Sequence, residues 1–210
     1  MSNKLTPLII EVTPVNERIR RRRIRHSLGV VSLVSENAPT EASDLTVKDA
    51  FYAALETVVD QCPRRDTLPV LGDFNKLPGT DGDGYETCVG PHASGTVNQK
   101  SSKFLDFVRS HGLRVADSWF QRPQAHRWTW HSNAGGVVKE IDHVLLDCRR
   151  RTIQNCRVYR SAQFLNTDHR LVLATLKLHL KSRRLVPSQP RLDVGKLKDE
   201  RVAEEFANRL

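Results

Sequence analysis

The chain has 210 residues with 39% apolar content, enough for one domain with a substantial core, which excludes a wholly disordered polypeptide. Its formal net charge of +9 and pI near 9.7 attract polyanions, nucleic acid and anionic membrane surfaces alike. No stretch is long and apolar enough to span a bilayer, and Leu8-Ile9-Ile10 is too short for a signal peptide and runs into Glu11 and Pro14, so no membrane role and a nuclear or cytoplasmic location, not a secreted one, are expected.

In chain order, the Val-, Ile- and Leu-rich segments 5–12 and 26–35 read as strands. Between them, Arg18 to His26 is a basic cluster in which Arg21 and Arg23 are candidate nucleic-acid contacts; a solvated strand edge explains the same charges. Val47, Ala50, Phe51, Ala54, Leu55, Val58 and Val59 recur at helical spacing, predicting a helix over 46–61 with Ser43, Asp44 or Thr46 to cap it and Pro63 to stop it. The short apolar run 68–71 predicts a strand buried on both faces, with Gly72 letting the chain leave it sharply, so that Asp73 and Asn75 stand at its carboxyl end.

A Gly-rich polar loop is expected over 78–98 and a second helix over 101–111, ended by Gly112. Strands follow over 115–119, 128–131, 139–147, 156–159 and 170–180, the last with Val172, Ala174, Leu176, Leu178 and Leu180 on one face. Residues 1–181 thus make one domain, 182–192 read as a Ser-, Pro- and Arg-rich linker, and 193–210 as the start of a helix leading to a downstream domain. Cys62, Cys88, Cys148 and Cys156 lack zinc-ligand spacing and read as reduced thiols.

Gly72-Asp73-Phe74-Asn75, Ile141-Asp142-His143 and Thr167-Asp168-His169 carry the chemistry. Carboxylates, an amide and an imidazole suffice to orient a water, hold a divalent cation and hydrogen-bond a phosphate. Asp73 and Asn75, two residues apart at a strand end, project to one side; Asp142 could accept a hydrogen bond from His169 and fix its tautomer. Taken singly, each cluster also fits a turn, a cap or an exposed strand end.

These clusters in this order, with Trp128-Thr129-Trp130 between the first and second, resemble the endonuclease/exonuclease/phosphatase superfamily, the deoxyribonuclease I-like fold. The wording Ala38-Pro39-Thr40-Glu41-Ala42, the stretch from Gln121 to Trp130 and Glu140-Ile141-Asp142-His143 is similar to the endonuclease domains of non-LTR retrotransposons and the craniofacial development protein 2-like proteins. The resemblance covers roughly residues 5 to 181.

It implies an α/β fold, a four-layer α/β/β/α sandwich, and a Mg²⁺- or Mn²⁺-dependent endonuclease acting on DNA. In it Asp73 aligns the attacking water, Asn75 supports that water and contacts phosphate, Asp168 holds the metal or its waters, and His169, backed by Asp142, stabilises the transition state; Trp128 and Trp130 lie near the nucleic acid or pack in the core. Two family features are absent: an early Asn-bearing strand with a metal-binding Glu in a Gln-Glu pair, and a phosphate-contacting Tyr where this chain has Asn37. The resemblance therefore implies missing amino-terminal strands, an incomplete metal site, marginal stability and an open sheet edge that could take a protein partner. A non-catalytic nucleic-acid- or protein-binding remnant, and a phosphatase of the same superfamily, are the alternatives.

Overall fold

A computed structural model describes residues 6–79, 84–95, 102–148, 152–159 and 167–178, together with 201, 204 and 207. The chain divides into two units, Met1–His179 and Leu180–Leu210. In the second, Arg201, Glu204 and Ala207 are helical and exposed; the expected linker lies outside the described residues.

The first unit is built on a six-stranded sheet of β1 (Ile9–Pro14), β2 (Ile19–His26), β3 (Gly29–Asn37), β4 (Pro69–Asp73), β5 (Leu113–Val115) and β8 (Asp142–Asp147), in the spatial order β1-β2-β3-β4-β8-β5. A hairpin of β6 (Trp130–His131) and β7 (Val138–Lys139) and a ribbon of β9 (Ile153–Tyr159) and β10 (Leu171–Leu176) complete the strands. The helices are α1 (Leu45–Asp60) and α2 (Ser102–Ser110).

Alternation along the central strands separates two cores. Val34, Val70 and Leu145 pack with Phe51, Leu55 and Val58 of α1 and Phe104, Leu105 and Val108 of α2. Val144, Leu146 and Leu71 pack with Cys156, Ile153, Val172 and Ala174 of the ribbon. One sheet thus carries helices on one face and strands on the other, three successive layers of the expected α/β sandwich.

Several boundaries differ from the expected ones. Segment 26–35 spans a hairpin: Arg20–His26 belong to β2, a turn at Ser27-Leu28 follows, and His26 pairs with Gly29. The strand expected over 115–119 ends at Val115, because the Ser118 hydroxyl donates to the Val115 carbonyl at 2.6 Å and closes a 3₁₀ turn over Asp117–Trp119. Asp44 stands at the amino cap of α1 but its side chain makes no capping bond. The strand expected over 170–180 stops at Leu176, with the alternation as read. At the sheet edge, Ile10 and Val12 of β1 are 42% and 50% exposed.

Gly72 acts differently from the expectation. It does not end the strand; it lies within β4, between Glu36 of β3 and His143 of β8. A Cβ there would fall 1.9 Å from the Glu36 carbonyl oxygen and 2.6 Å from its Oε1, so close backbone approach demands glycine. Gly72→Ala is expected to lower stability by about 3 kcal/mol through overpacking; a urea midpoint equal to the parent's would contradict this packing.

Candidate catalytic site

Sheet register brings the acids together. Asp73, the last residue of β4, pairs with Asp142, the first of β8. The Phe74 amide donates to the Ile141 carbonyl at 2.9 Å and the Ala38 amide to the Asp73 carbonyl at 2.7 Å, which fixes the strand end. Asn75 then adopts a left-handed backbone, φ 51°, a conformation asparagine tolerates. Its amide N–H donates to Asp73 Oδ1 at 2.9 Å, and its side-chain NH₂ donates to Asp73 Oδ2 at 3.2 Å and to the Ala38 carbonyl at 2.9 Å. Asn75 therefore spends its donors on Asp73 and on the Ala38 carbonyl, and orients Asp73.

His169 closes the site. A carboxylate only accepts, so Nδ1 carries the proton and donates to Asp142 Oδ2 at 2.9 Å, with Oδ1 at 3.1 Å. Nε2 then points between Asp73 Oδ2 and Asp168 Oδ1, 4.0 Å from each. Asp73, Asn75, Asp142, Asp168 and His169 are thus brought together.

The electrostatics suit proton transfer. Burial pushes Asp73 above the usual carboxylate range, opposed by the Asn75 amide and reinforced by the charge of Asp142. Burial disfavours the charged form of His169, but the hydrogen bond and charge of Asp142, with Asp73 and Asp168 beyond, outweigh it and raise its pKa. Behind Asp73, Glu36 is 6% exposed with both carboxyl oxygens unpartnered; burial and the charge of Asp73 keep it neutral far above its ordinary range.

The segment carrying the two tryptophans, of which only Trp130 lies in β6, has a role the sequence did not announce. Thr129, 1% exposed, accepts at its hydroxyl from the amides of Ile141 and Asp142, each at 3.0 Å. Its carbonyl accepts from the Arg170 amide at 2.7 Å, and the His131 amide donates to the Asp168 carbonyl at 3.1 Å. The indole Nε1–H of Trp130 donates to Asp168 Oδ2 at 2.7 Å and holds that carboxyl below its usual range. Trp128 is half-buried, its carbonyl accepting from Arg170. Only the hydroxyl between two aromatic residues in Trp128-Thr129-Trp130 hints at this in the sequence.

Arg21 and Arg23 lie elsewhere, engaged with Glu11 of β1 and with Asp66 in the segment before β4. Arg21 pairs with Glu11 at 2.6 Å, and Arg23 grips Asp66 through Nε and Nη2 at 3.0 and 2.9 Å.

Beside the site is a buried charged cluster that sequence reading missed. The His143 side chain is fully buried, with Nε2–H donating to the Lys76 carbonyl at 2.9 Å and Nδ1–H to Asp117 at 3.0 Å. Both partners accept, so the ring is imidazolium: burial opposes the charge, and Asp117 raises the pKa to about 9. Glu140, bonded to Ser94 and paired with Arg127 at 3.2 Å, is raised to about 7 by burial and by Asp117.

No protein-family profile matches the chain. Craniofacial development protein 2 of Tragulus javanicus is 24% identical over 208 residues, 98% of this chain and 35% of that protein; its Bos taurus counterpart is 24% identical over 184 residues, 86% and 30%. The chain spans about a third of the length of these curated relatives. Among solved structures, the 3′ phosphatase NExo from Neisseria, described bound to a product DNA hairpin, matches with a TM-score of 0.58 at 20% identity, covering 80% of this chain and 71% of that one. The endonuclease domain of TRAS1, a telomere-specific non-LTR retrotransposon, matches at 0.55 and 14%, covering 80% and 67%. An AP endonuclease from Archaeoglobus fulgidus matches at 0.60 and 12%, covering 80% and 71%.

The fold is that of the endonuclease/exonuclease/phosphatase superfamily. Nucleases of this superfamily generally use divalent metals, and such an ion needs open oxygen donors. Among the described residues no cluster of three His, Cys, Asp or Glu side chains could hold a metal. Asn75 covers both oxygens of Asp73, His169 both of Asp142, and Trp130 one of Asp168. This set leaves one open carboxylate oxygen, Asp168 Oδ1, for an ion that takes most of its shell from water, and does not make a protein-only cage. Among the described residues no helix is long and apolar enough to cross a membrane.

Two outcomes follow from the site as built. Thr129→Val leaves two buried amides without an acceptor and is expected to cost about 2–4 kcal/mol, while Thr129→Ser stays within about 1 kcal/mol of the parent in urea unfolding. His143 gains stability below the pH where an unfolded histidine titrates, ~6.5, and loses it as pH rises through about 9. Glu140, whose folded pKa of about 7 lies above its unfolded value, also loses stability as pH rises. The urea midpoint should therefore fall between about pH 5 and about pH 9, and a midpoint that rises across this window would contradict both assignments.

Proposed function

We propose that the chain is a phosphodiester-cleaving endonuclease domain of retrotransposon type, acting on DNA in the presence of Mg²⁺ or Mn²⁺. The observation that carries the reading is His169: its Nδ1–H is committed to Asp142, and its Nε2 opens between Asp73 and Asp168 at 4.0 Å from each.

Asp73, held by Asn75, takes the proton of a water as that water attacks phosphorus. A new P–O bond forms, and the bond to the leaving sugar oxygen breaks, that oxygen taking a proton from solvent water to leave as the hydroxyl. His169, held charged by Asp142, donates Nε2–H to a phosphoryl oxygen as negative charge builds there. Asp168, through its open Oδ1, would hold the divalent ion, which supplies charge neutralisation at the phosphate when bound. The net charge of +9 draws the polyanionic substrate and makes binding weaken with salt.

A second reading, nucleic-acid binding without cleavage, is favoured by the absence of a three-donor metal cluster among the described residues. Plasmid nicking separates the two. Cleavage abolished by EDTA and lowered about 10²–10³-fold by His169→Ala is expected, whereas salt-sensitive binding with no nicking at any Mg²⁺ or Mn²⁺ concentration selects the second reading. Activity should rise with pH as Asp73 ionises, above the ordinary carboxylate range, and fall as His169 loses its proton, above the ordinary imidazole range.

A further inference from the structure

Trp130 stands out because its polar atom is aimed inward. The indole has one donor and no acceptor, so the 2.7 Å bond to Asp168 Oδ2 runs in a single direction. The ring is held independently of that bond. Trp130 pairs with Lys139 across the β6–β7 hairpin, forms a bridge to His169, and carries the Lys139 ammonium 5.8 Å from its centroid.

Asp168 needs such a hold, because its side chain is 32% exposed and its Oδ1 already stands 4.0 Å from His169 Nε2. A carboxylate free to turn would close that gap and accept the Nε2–H, leaving the imidazole nothing to give a phosphate.

We propose that Trp130 is a positioning residue for Asp168: its indole N–H ties down Oδ2, keeps the carboxylate from collapsing onto His169, and presents Oδ1 alone to the space a phosphodiester would fill. The kinetic consequence rests on the nuclease reading above, but the contact itself does not. The assignment departs from the role of a nucleic-acid-facing ring, since the N–H and not the ring face does the work.

The experiment has two arms on the full chain. In ¹⁵N-labelled protein, Trp119, Trp128 and Trp130 each give an indole N–H resonance, assigned by Trp→Phe substitution. Asp168→Ala should move the Trp130 resonance and speed its exchange with solvent while leaving the other two in place. Trp130→Phe keeps an aromatic ring and removes the donor; it should lower kcat for plasmid nicking about tenfold, with KM changed less than about twofold.

A Trp130 resonance indifferent to Asp168→Ala overturns the proposal. So does a Trp130→Phe variant whose kcat is unchanged, and a Trp130→Ala variant that then raises KM would identify a base-stacking platform instead. If the parent chain cleaves nothing, the nuclease reading falls while the resonance arm still decides the Trp130 contact.

Discussion

The site depends on one register: β4 and β8 run antiparallel with Asp73 opposite Asp142 and Gly72 opposite His143. Two carboxylates at facing ladder positions repel each other. The repulsion is relieved because each acid has its own partners, Asn75 for the first and His169 for the second. A one-residue slip of β4 would turn Asp73 to the other face of the sheet and put Gly72 in its place opposite Asp142. The glycine guards against this, because only a residue without Cβ lets the Glu36 backbone approach at that position.

Most of the candidate site was legible in the sequence because its residues lie at the ends of apolar runs, where hydrophobic pattern locates the strand end and chemistry names the side chain. Asp73 and Asn75 after Leu68 to Leu71, and Asp168 and His169 before the alternating strand, were found that way. What stayed hidden was pairing across the fold. Periodicity does not tell that the Thr129 hydroxyl accepts from the Ile141 and Asp142 amides, that Trp130 reaches Asp168, or that the arginines of β2 face Glu11 and Asp66. The hairpin at Ser27-Leu28 was missed because its turn lacks the Asn-Gly or Asp-Gly signature. The break after Val115 was missed because one serine hydroxyl decides it.

The region behind the site is unusually polar for a core. Glu36, Asp117, Glu140 and His143 are buried or nearly so, and His143 lies against Phe104 and Phe74 at 5.7 and 6.3 Å. His143 links this cluster to the chemistry through the Lys76 carbonyl, one residue beyond the left-handed Asn75. A buried imidazolium stabilises only while its acceptors stay in place, which makes it a better specifier of geometry than source of stability.

Several bonds at and behind the candidate site join remote parts of the polypeptide: His143 to Lys76 across 67 residues, His169 to Asp142 across 27. Contacts close along the chain supply the Asn75 hold on Asp73 and not these bonds. During folding, loop-closure entropy must be met before any of these partners meet, so helices and hairpins come first and the candidate site comes late. A proteolytic fragment retaining only one of the contributing strands would carry intact motifs and no chemistry.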